Sequence, residues 1–364
     1  MQKTFLDLVE DVHTPGRCNH CGGCVSFCSA INYGALDLDH TGQPFISDRE
    51  KCIECGLCYS VCPQTRELDG DIQKHCEWKE PYGRVIQTAI THACNEDIRA
   101  SGTDGGVVTA VLTHLLTTGR INGAIVSKQT GHGRVPCVAK TKQEILDSAG
   151  SHFGASHGMI RFASEYSTFS PTITALGELR YNPLDRLAFV GTPCQIASVR
   201  KMQALGIVPS DAIHVCLGLF CSGNFHFTEP WFKSLEKDYD FDHRFIEKIN
   251  IKEQFAFFLS DGRVVKVPID RFDPVRRPAC GFCTDFSAAF ADISFGGLGA
   301  EEGWTTAVIR TPLGKELFDH ALAHALVPYR YADNPRYISQ AEEKIYTATA
   351  HKKAMAEKNS LSIH

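Results

Sequence analysis

The chain has 364 residues, 43% of them hydrophobic and 22% charged, with a formal net charge of -5. That is room for two to three domains of about 150 residues each, at an ordinary globular composition. The mildly acidic balance, without long blocks of like charge, excludes a nucleic-acid or anionic-membrane surface as the basis of function, and no stretch reaches the roughly 18 uncharged apolar residues of a membrane span. The opening MQKTFLDLVEDVHTPGRC lacks the apolar core of a signal peptide, so a cytoplasmic protein, or one held peripherally on a membrane complex, is expected. Sixteen cysteines in a long, signal-free chain read as reduced, metal-binding thiols rather than as a disulfide scaffold.

Half of those cysteines fall in two runs, CNHCGGCVSFC at 18–28 and CIECGLCYSVCP at 52–63. Both keep the C-x2-C-x2-C-x3-C spacing of bacterial ferredoxins, in which three thiolates hold one 4Fe-4S cluster and the fourth reaches across to the other. The rule assigns Cys18, Cys21, Cys24 and Cys62 to one cluster, and Cys52, Cys55, Cys58 and Cys28 to the second. A pair of zinc sites is the alternative, although zinc normally draws its ligands from two short pairs. Pro63 follows the second run, whereas Ser29 stands at that place after the first. The intervening INYGALDLDHTGQPFISD reads as a hairpin, with helical turns after each run. Residues 1–78 are thus expected to form an α+β, ferredoxin-like unit with two clusters.

From 85 to 240 helix and strand alternate. GGVVTAVLTHLLTTG (105–119) has helical apolar spacing and INGAIVS (121–127) is a short strand. RLAFVG, the helical QIASVRKMQALG and the strand AIHVCLGLF (212–220) repeat the step, the rhythm of a mainly parallel α/β sheet. From 241 to 364 the character turns to β. FIEKINI and FAFFLSDGRVVKVPI alternate around Asp261-Gly262, a hairpin signal, and ADISFGG and WTTAVIR add strands. Then come a helix opening at Pro312 and a terminal helix over AEEKIYTATAHKKAMAEK. This β-rich part is expected to complete the same catalytic core.

Four further cysteines stand where apolar strands end: Cys194 in FVGTPCQ, Cys221 in GLFCSGN, and Cys280 with Cys283 in RPACGFCTDF. They could close a third 4Fe-4S cluster if the fold gathers their loops. Taken alone, CGFC is equally a redox dithiol or half a zinc site, and Cys194 a buried thiol. Cys216 rivals Cys221 as a ligand but lies within an apolar strand; Cys76, Cys94 and Cys137 have no partner at ligand spacing. Two glycine-rich loops, SGTDGGVVTA (101–110) before a helix and FGGLGAEEGW (295–304) with Trp304 for stacking, could cradle a phosphate or simply turn. None of the sixteen histidines is read as an HExxH motif or another metal pair at helical spacing, and there is no nucleophile elbow.

In this order the cysteine runs, GTDGGVVTA, FVGTPCQIASVRK, GLFCSGNF and RPACGFCTDFSAAFADISFGGLGAEEGWTTAVIRT resemble the beta-subunit family of coenzyme F420 hydrogenases and dehydrogenases. The resemblance implies an α/β flavin-binding core in which FAD exchanges a hydride with coenzyme F420 and passes electrons to 4Fe-4S clusters, with no catalytic acid or base of the protein's own. It assigns Cys194, Cys221, Cys280 and Cys283 to a flavin-proximal cluster. It lines the FAD site with Gly102, Asp104, Gly105, Gly106 and Thr109, with Gly296, Gly297 and Gly299 nearby. His152 and Phe153 stand where similar proteins carry a basic residue and a tyrosine, which leaves F420 less secure than FAD. Expected partners are a hydrogenase, formate dehydrogenase, heterodisulfide reductase, membrane F420H2 dehydrogenase or ferredoxin. The alternatives are a flavin and iron-sulfur reductase using NADH or another donor or acceptor, and a non-catalytic electron-transfer subunit.

Overall fold

A computed structural model describes residues 3–30, 33–130, 133–150, 165–167, 170–181, 183–330 and 334–361. The amino-terminal unit has the short helices α1 (Phe5–Leu8) and α2 (Gly23–Ala30), a hairpin of β1 (Leu36–Leu38) and β2 (Pro44–Ile46), then α3 (Leu57–Ser60) and α4 (Asp69–His75). The hairpin pairs Leu36 with Ile46, as the sequence predicts. The helices do not follow the cysteine runs but begin inside them: α2 carries Cys24 and Cys28, and α3 carries Cys58. The x3 spacing of the last two cysteines is one helical turn, so the run itself supplies the turn.

The chain continues through β3 (Gln87–Ala93), α5 (Glu96–Ser101), α6 (Val107–Thr117), β4 (Gly123–Thr130), β5 (Gly133–Ala139), α7 (Lys142–Asp147), β6 (Glu165–Ser167), β7 (Leu187–Gly191) and α8 (Pro193–Ala204). It then forms β8 (Ile213–Leu219), β9 (His226–Thr228), α9 (Glu229–Tyr239), β10 (Ile246–Ile251), β11 (Gln254–Leu259) and β12 (Val264–Pro268). Last come β13 (Ile293–Gly296), β14 (Thr305–Ile309), α10 (Pro312–His324), β15 (Leu326–Pro328) and α11 (Tyr337–Leu361). Eight strands make one sheet in the order β15-β3-β14-β13-β8-β7-β4-β5.

That sheet is mixed rather than mainly parallel, which corrects the expectation. Its centre, β13-β8-β7-β4, is parallel; both flanks are antiparallel. The connection 297–304 between β13 and β14, and the still shorter one between β4 and β5, fall below the dozen or so residues that a parallel crossover needs. β10, β11 and β12 form a separate three-stranded sheet over a core of Phe225, Phe227, Phe232, Phe255, Phe257 and Phe272. The hairpin at Asp261-Gly262 is present, with Gly262 at φ +85° and its N–H bonded to Leu259 O at 2.9 Å.

Alternation along β8 shows how the large sheet is covered. Val215 and Leu217 face a layer containing Val111 and Leu115 of α6 and Phe318 of α10. Cys216, on the opposite face, joins a core with Val199 and Met202 of α8 and with Phe27 and Val61 of the amino-terminal unit. That unit is therefore docked on the sheet through α8. Ser198 Oγ donates to Val61 O at 3.0 Å, and the fully buried Lys201 sends its ammonium to the carbonyl oxygens of Cys62 at 3.0 Å and Thr65 at 2.8 Å.

Candidate redox centre

Helix α8 opens with Pro193 at its first turn and a reciprocal cap, Thr192 N–H donating to Gln195 Oε1 at 2.9 Å. The cap fixes Cys194 in the first turn, at the carboxyl end of β7. The strands β8 and β13 end beside it, and Cys194, Cys221, Cys280 and Cys283 converge on one cavity, with Asn19, Asn224, Arg277 and Lys352 also in its lining. Donors point at the sulfurs: Asn224 N–H lies 3.2 Å from Cys280 Sγ, and the Thr192 hydroxyl 3.3 Å from Cys194 Sγ. Cys216 is not among them; it is fully buried beside the Arg200–Asp292 ion pair, its N–H bonded to Asp292 at 2.7 Å. Cys76 lies in the same region, donating to Phe290 O at 3.7 Å, whereas Cys94 is exposed and Cys137 half-buried.

The two runs sort crosswise. A second cavity is lined by Cys28, Cys52, Cys55 and Cys58, one cysteine of the first run among three of the second. Ala35 N–H is 3.3 Å from Cys28 Sγ. The remaining set is Cys18, Cys21, Cys24 and Cys62. Burial, and next the Cys62 sulfur, push the Cys21 thiol up to about 12. Burial likewise raises Cys18 to about 12, against a bond from His20 N–H, with Cys62 adding to the rise. Burial and the sulfurs of Cys55, Cys28 and Cys52 raise Cys58 to about 12, against a bond from Tyr59 N–H. Such thiols stay protonated until a metal group takes the proton's place.

The groups are neighbours. Cys194 is held well above the ordinary thiol range by burial and then by Cys21 and Cys283, so the dispersed set abuts the Cys18 set. Cys24 is raised by burial and, after its own group, by Cys58 of the other set. The donor chemistry fits iron-sulfur clusters better than single ions. A zinc ion with Zn–S bonds of about 2.3 Å needs its sulfurs about 4 Å apart. The one group of three or more His, Cys, Asp or Glu side chains among the described residues whose ligand atoms all lie within 4.8 Å of one another is Glu236, Asp242 and His243, which includes no cysteine.

The glycine-rich loops also meet. Asp104, whose carboxyl is raised chiefly by burial, accepts from Asn250 Nδ2 at 2.9 Å and from Lys252 Nζ at 3.3 Å. The β10–β11 hairpin thus reaches into this corner, through two residues that the sequence reading missed. A Cβ on Gly297 would lie 2.0 Å from Asp104 Oδ2, one on Gly102 2.5 Å from Gly106 Cα, and one on Gly105 2.8 Å from Gly303 O. Gly106 is closed on by Ile98 O, Gly296 by the Phe220 ring and Gly299 by Ala341. Close packing inside the protein therefore accounts for all six glycines. What the corner offers a flavin dinucleotide is the amino-terminal amides of α6, the half-buried cation of Lys252 and the Trp304 ring. Thr109 is buried in the first turn of α6. His152 and Phe153 lie outside the described residues.

A histidine cluster stands apart from these sites. His320 and His324 stand one turn apart on α10, and His114 of α6 meets them, its Nε2 2.6 Å from His320 Nδ1. The HALAH spacing was the overlooked sign.

Comparison with known proteins bears on this architecture. Residues 17–65 match a 4Fe-4S dicluster domain. Residues 89–160 and 184–333 match the amino- and carboxyl-terminal parts of the coenzyme F420 hydrogenase/dehydrogenase beta subunit. The coenzyme F420 hydrogenase subunit beta of Methanosarcina barkeri is 31% identical over 264 residues, 68% of this chain and 83% of the relative. The chain belongs to the coenzyme F420 hydrogenase/dehydrogenase beta-subunit family. An F(420)H(2) dehydrogenase component of Methanosarcina mazei is also similar, 27% identical over 83% of this chain and 81% of that one. A coenzyme F420-dependent sulfite reductase of Methanocaldococcus jannaschii is 29% identical over 85% of this chain, which spans only 46% of that longer protein. A chain of the F420-reducing NiFe hydrogenase complex of Methanosarcina barkeri shares the fold with a TM-score of 0.61 at 26% identity, over 75% of this chain and 93% of that one. No helix among the described residues is long and apolar enough to cross a membrane.

Proposed function

We propose that this protein is the electron-input or electron-output subunit of a larger redox complex, exchanging a hydride between coenzyme F420 and FAD and moving electrons through three 4Fe-4S clusters. The observation that carries the reading is the gathering of twelve cysteines into three adjoining sets of four. When bound, a flavin accepts two electrons together and releases them singly, which is the conversion a deazaflavin and a cluster require between them. The protein's own part is to hold Cys194, Cys221, Cys280 and Cys283 beside the sheet's carboxyl edge, to keep water from that cavity, and to direct N–H groups at the sulfurs. We place the FAD phosphates at the start of α6, near Lys252. Redox subunits of the kinds named for the relatives, a hydrogenase or an F420H2 dehydrogenase, are the partners proposed, with ferredoxin as a soluble alternative.

The test is anaerobic turnover of reduced F420 with a viologen acceptor, alongside iron and flavin analysis. Turnover with F420, FAD and about twelve irons per chain is the expected result, from three clusters of four. Turnover with NADH and none with F420 would keep the family fold and discard the substrate.

A further inference from the structure

The cavity on which Cys194, Cys221, Cys280 and Cys283 converge is also lined by Lys352 of α11. Its presence there is unusual. Lys352 is 4% exposed, and among the described residues its ammonium donates only to carbonyl oxygens, Cys221 O at 2.7 Å and Asp285 O at 2.9 Å. The other deeply buried lysine, Lys201, has a carboxylate partner, Asp69 at 2.9 Å; Lys352 forms no ion pair with a carboxylate among the described residues. The adjacent Asp285 is otherwise engaged: one carboxylate oxygen accepts from Ala289 N–H at 2.9 Å, and the other is buried without a partner.

Burying a cation with no carboxylate in ion-pair contact is costly, and the nearby Asp285 acts on Lys352 only at a distance, so an ammonium retained at such a place implies a further anion facing it. Four thiolates outweigh the positive core of an iron-sulfur cluster, so the assembly is anionic, and each electron it accepts makes it more so. Lys352 is well anchored for this task. The buried stripe of α11 runs Ala341, Ile345, Thr349, Lys352, Ala356, and Asn359 ties the same helix to the CGFC turn through Gly281 O at 2.9 Å.

Resting on the third cluster of the proposed function, the geometry points to Lys352 as the positioning residue that holds up the reduction potential of the Cys194, Cys221, Cys280 and Cys283 cluster. The cluster gains one electron, no bond forms or breaks, and no proton moves, because Lys352 is an ammonium before and after. Its field stabilises the reduced form over the oxidised one, more strongly at this largely buried site than it would in water. Arg277 lines the same cavity, with Nη1 bonded to Asn19 O at 3.0 Å, and contributes in the same direction.

The experiment is a redox titration of the anaerobically purified full chain followed by electron paramagnetic resonance. Iron is counted in each sample, and Cys280→Ala identifies the signal of the third cluster. In Lys352→Met, iron stays near that of the wild type. The third cluster's one-electron reduction constant falls at least tenfold, which is 59 mV, while the other two clusters do not move. Lys352→Arg recovers most of the shift. Wild-type iron with all three midpoints unmoved overturns the role of Lys352 and leaves the third cluster standing. About eight irons in the wild type overturns the third cluster and this inference together. Loss of about four irons in both Lys352→Met and Lys352→Gln marks a structural clamp and also overturns it.

Discussion

Lys201 is the strongest test of how the ferredoxin-like unit is held on the sheet. The side chain is fully buried in α8. Its ammonium bonds Cys62 O at 3.0 Å and Thr65 O at 2.8 Å, and pairs with Asp69 at 2.9 Å. Lys201→Met keeps most of the stem's volume and removes the charge. Two carbonyl oxygens then lose a donor, at about 1–3 kcal/mol each when buried. Asp69 is 45% exposed and returns to water, so its share is about 1 kcal/mol at most. Relief from desolvating the ammonium offsets part of this, leaving a net loss of about 2–4 kcal/mol. Anaerobic denaturant unfolding of the holoprotein reads the loss, and hydrogen exchange should show it concentrated at 61–72. Asp69→Asn, by the same reasoning, costs less than about 1 kcal/mol. A Lys201→Met protein within about 0.5 kcal/mol of wild type would mean that the apolar contacts of Val61 and Phe27 alone dock the unit, and the reasoning would fail.

Other outcomes follow from the same contacts. Cys28→Ala should remove the cluster otherwise held by the second run, and Cys62→Ala the one otherwise held by the first, each lowering iron by about four in a metal assay; loss of the same-run cluster instead would reverse the crosswise assignment. Cys216→Ala should leave iron unchanged, since Cys216 sits beside Arg200 and Asp292 and not at the third cavity. Gly297→Ala brings a Cβ to 2.0 Å from Asp104 Oδ2 and should cost about 1–3 kcal/mol in a thermal melt through overpacking. His114 is held below its ordinary 6.5 by burial, then by His320, His324 and Arg120. Its folded form therefore resists a proton that the unfolded chain accepts: the contribution to stability is whole above pH 6.5 and is lost as pH falls through the lowered folded value. His114→Gln should flatten that acid slope, and an unchanged slope would remove the histidine cluster as its source.

Much of this site was legible because its signals are local. Ligand spacing groups Cys28 with Cys52, Cys55 and Cys58, the four that line the second cavity, and Pro312 marks a helix start that the fold keeps. What escaped depends on distant contacts. Asn250 and Lys252 reach Asp104 from a hairpin nearly 150 positions away in sequence, which no local pattern announces. The glycines at 102–106 and 296–299 looked like a ligand cradle, yet Ile98, Phe220 and Ala341 fill the space above three of them; a glycine forced by packing and one forced by a phosphate are identical in sequence. Lys201 and Lys352 resemble surface charges on amphipathic helices. In α11 the sign was there: a lysine at 352 falls in step with Ala341, Ile345, Thr349 and Ala356, on the stripe that the core covers. The antiparallel flanks of the sheet were missed because strand direction depends on connection length, and alternation alone does not report it.

If the three cysteine sets hold clusters as proposed, their adjacency imposes an order on electron flow that spacing could not. The Cys21 sulfur is among the charges that raise Cys194, and the Cys58 sulfur among those that raise Cys24, so the set at the sheet's carboxyl edge neighbours the Cys18 set, and that set neighbours the Cys28, Cys52, Cys55 and Cys58 set. The last set also has the exposed apolar Ile53 in its lining, with Lys51 and Glu54 beside it. A partner's redox centre can approach there without crossing the core. The third set is closed in by α8, α11 and the CGFC turn. If electrons enter at a flavin beside the sheet, the middle cluster is obligatory. Cys62→Ala should then abolish transfer from reduced F420 to a partner protein while sparing transfer to a small viologen that can reach the flavin or third cluster directly. Equal loss of both activities would place the entry point at the amino-terminal unit and overturn the proposed order of the clusters.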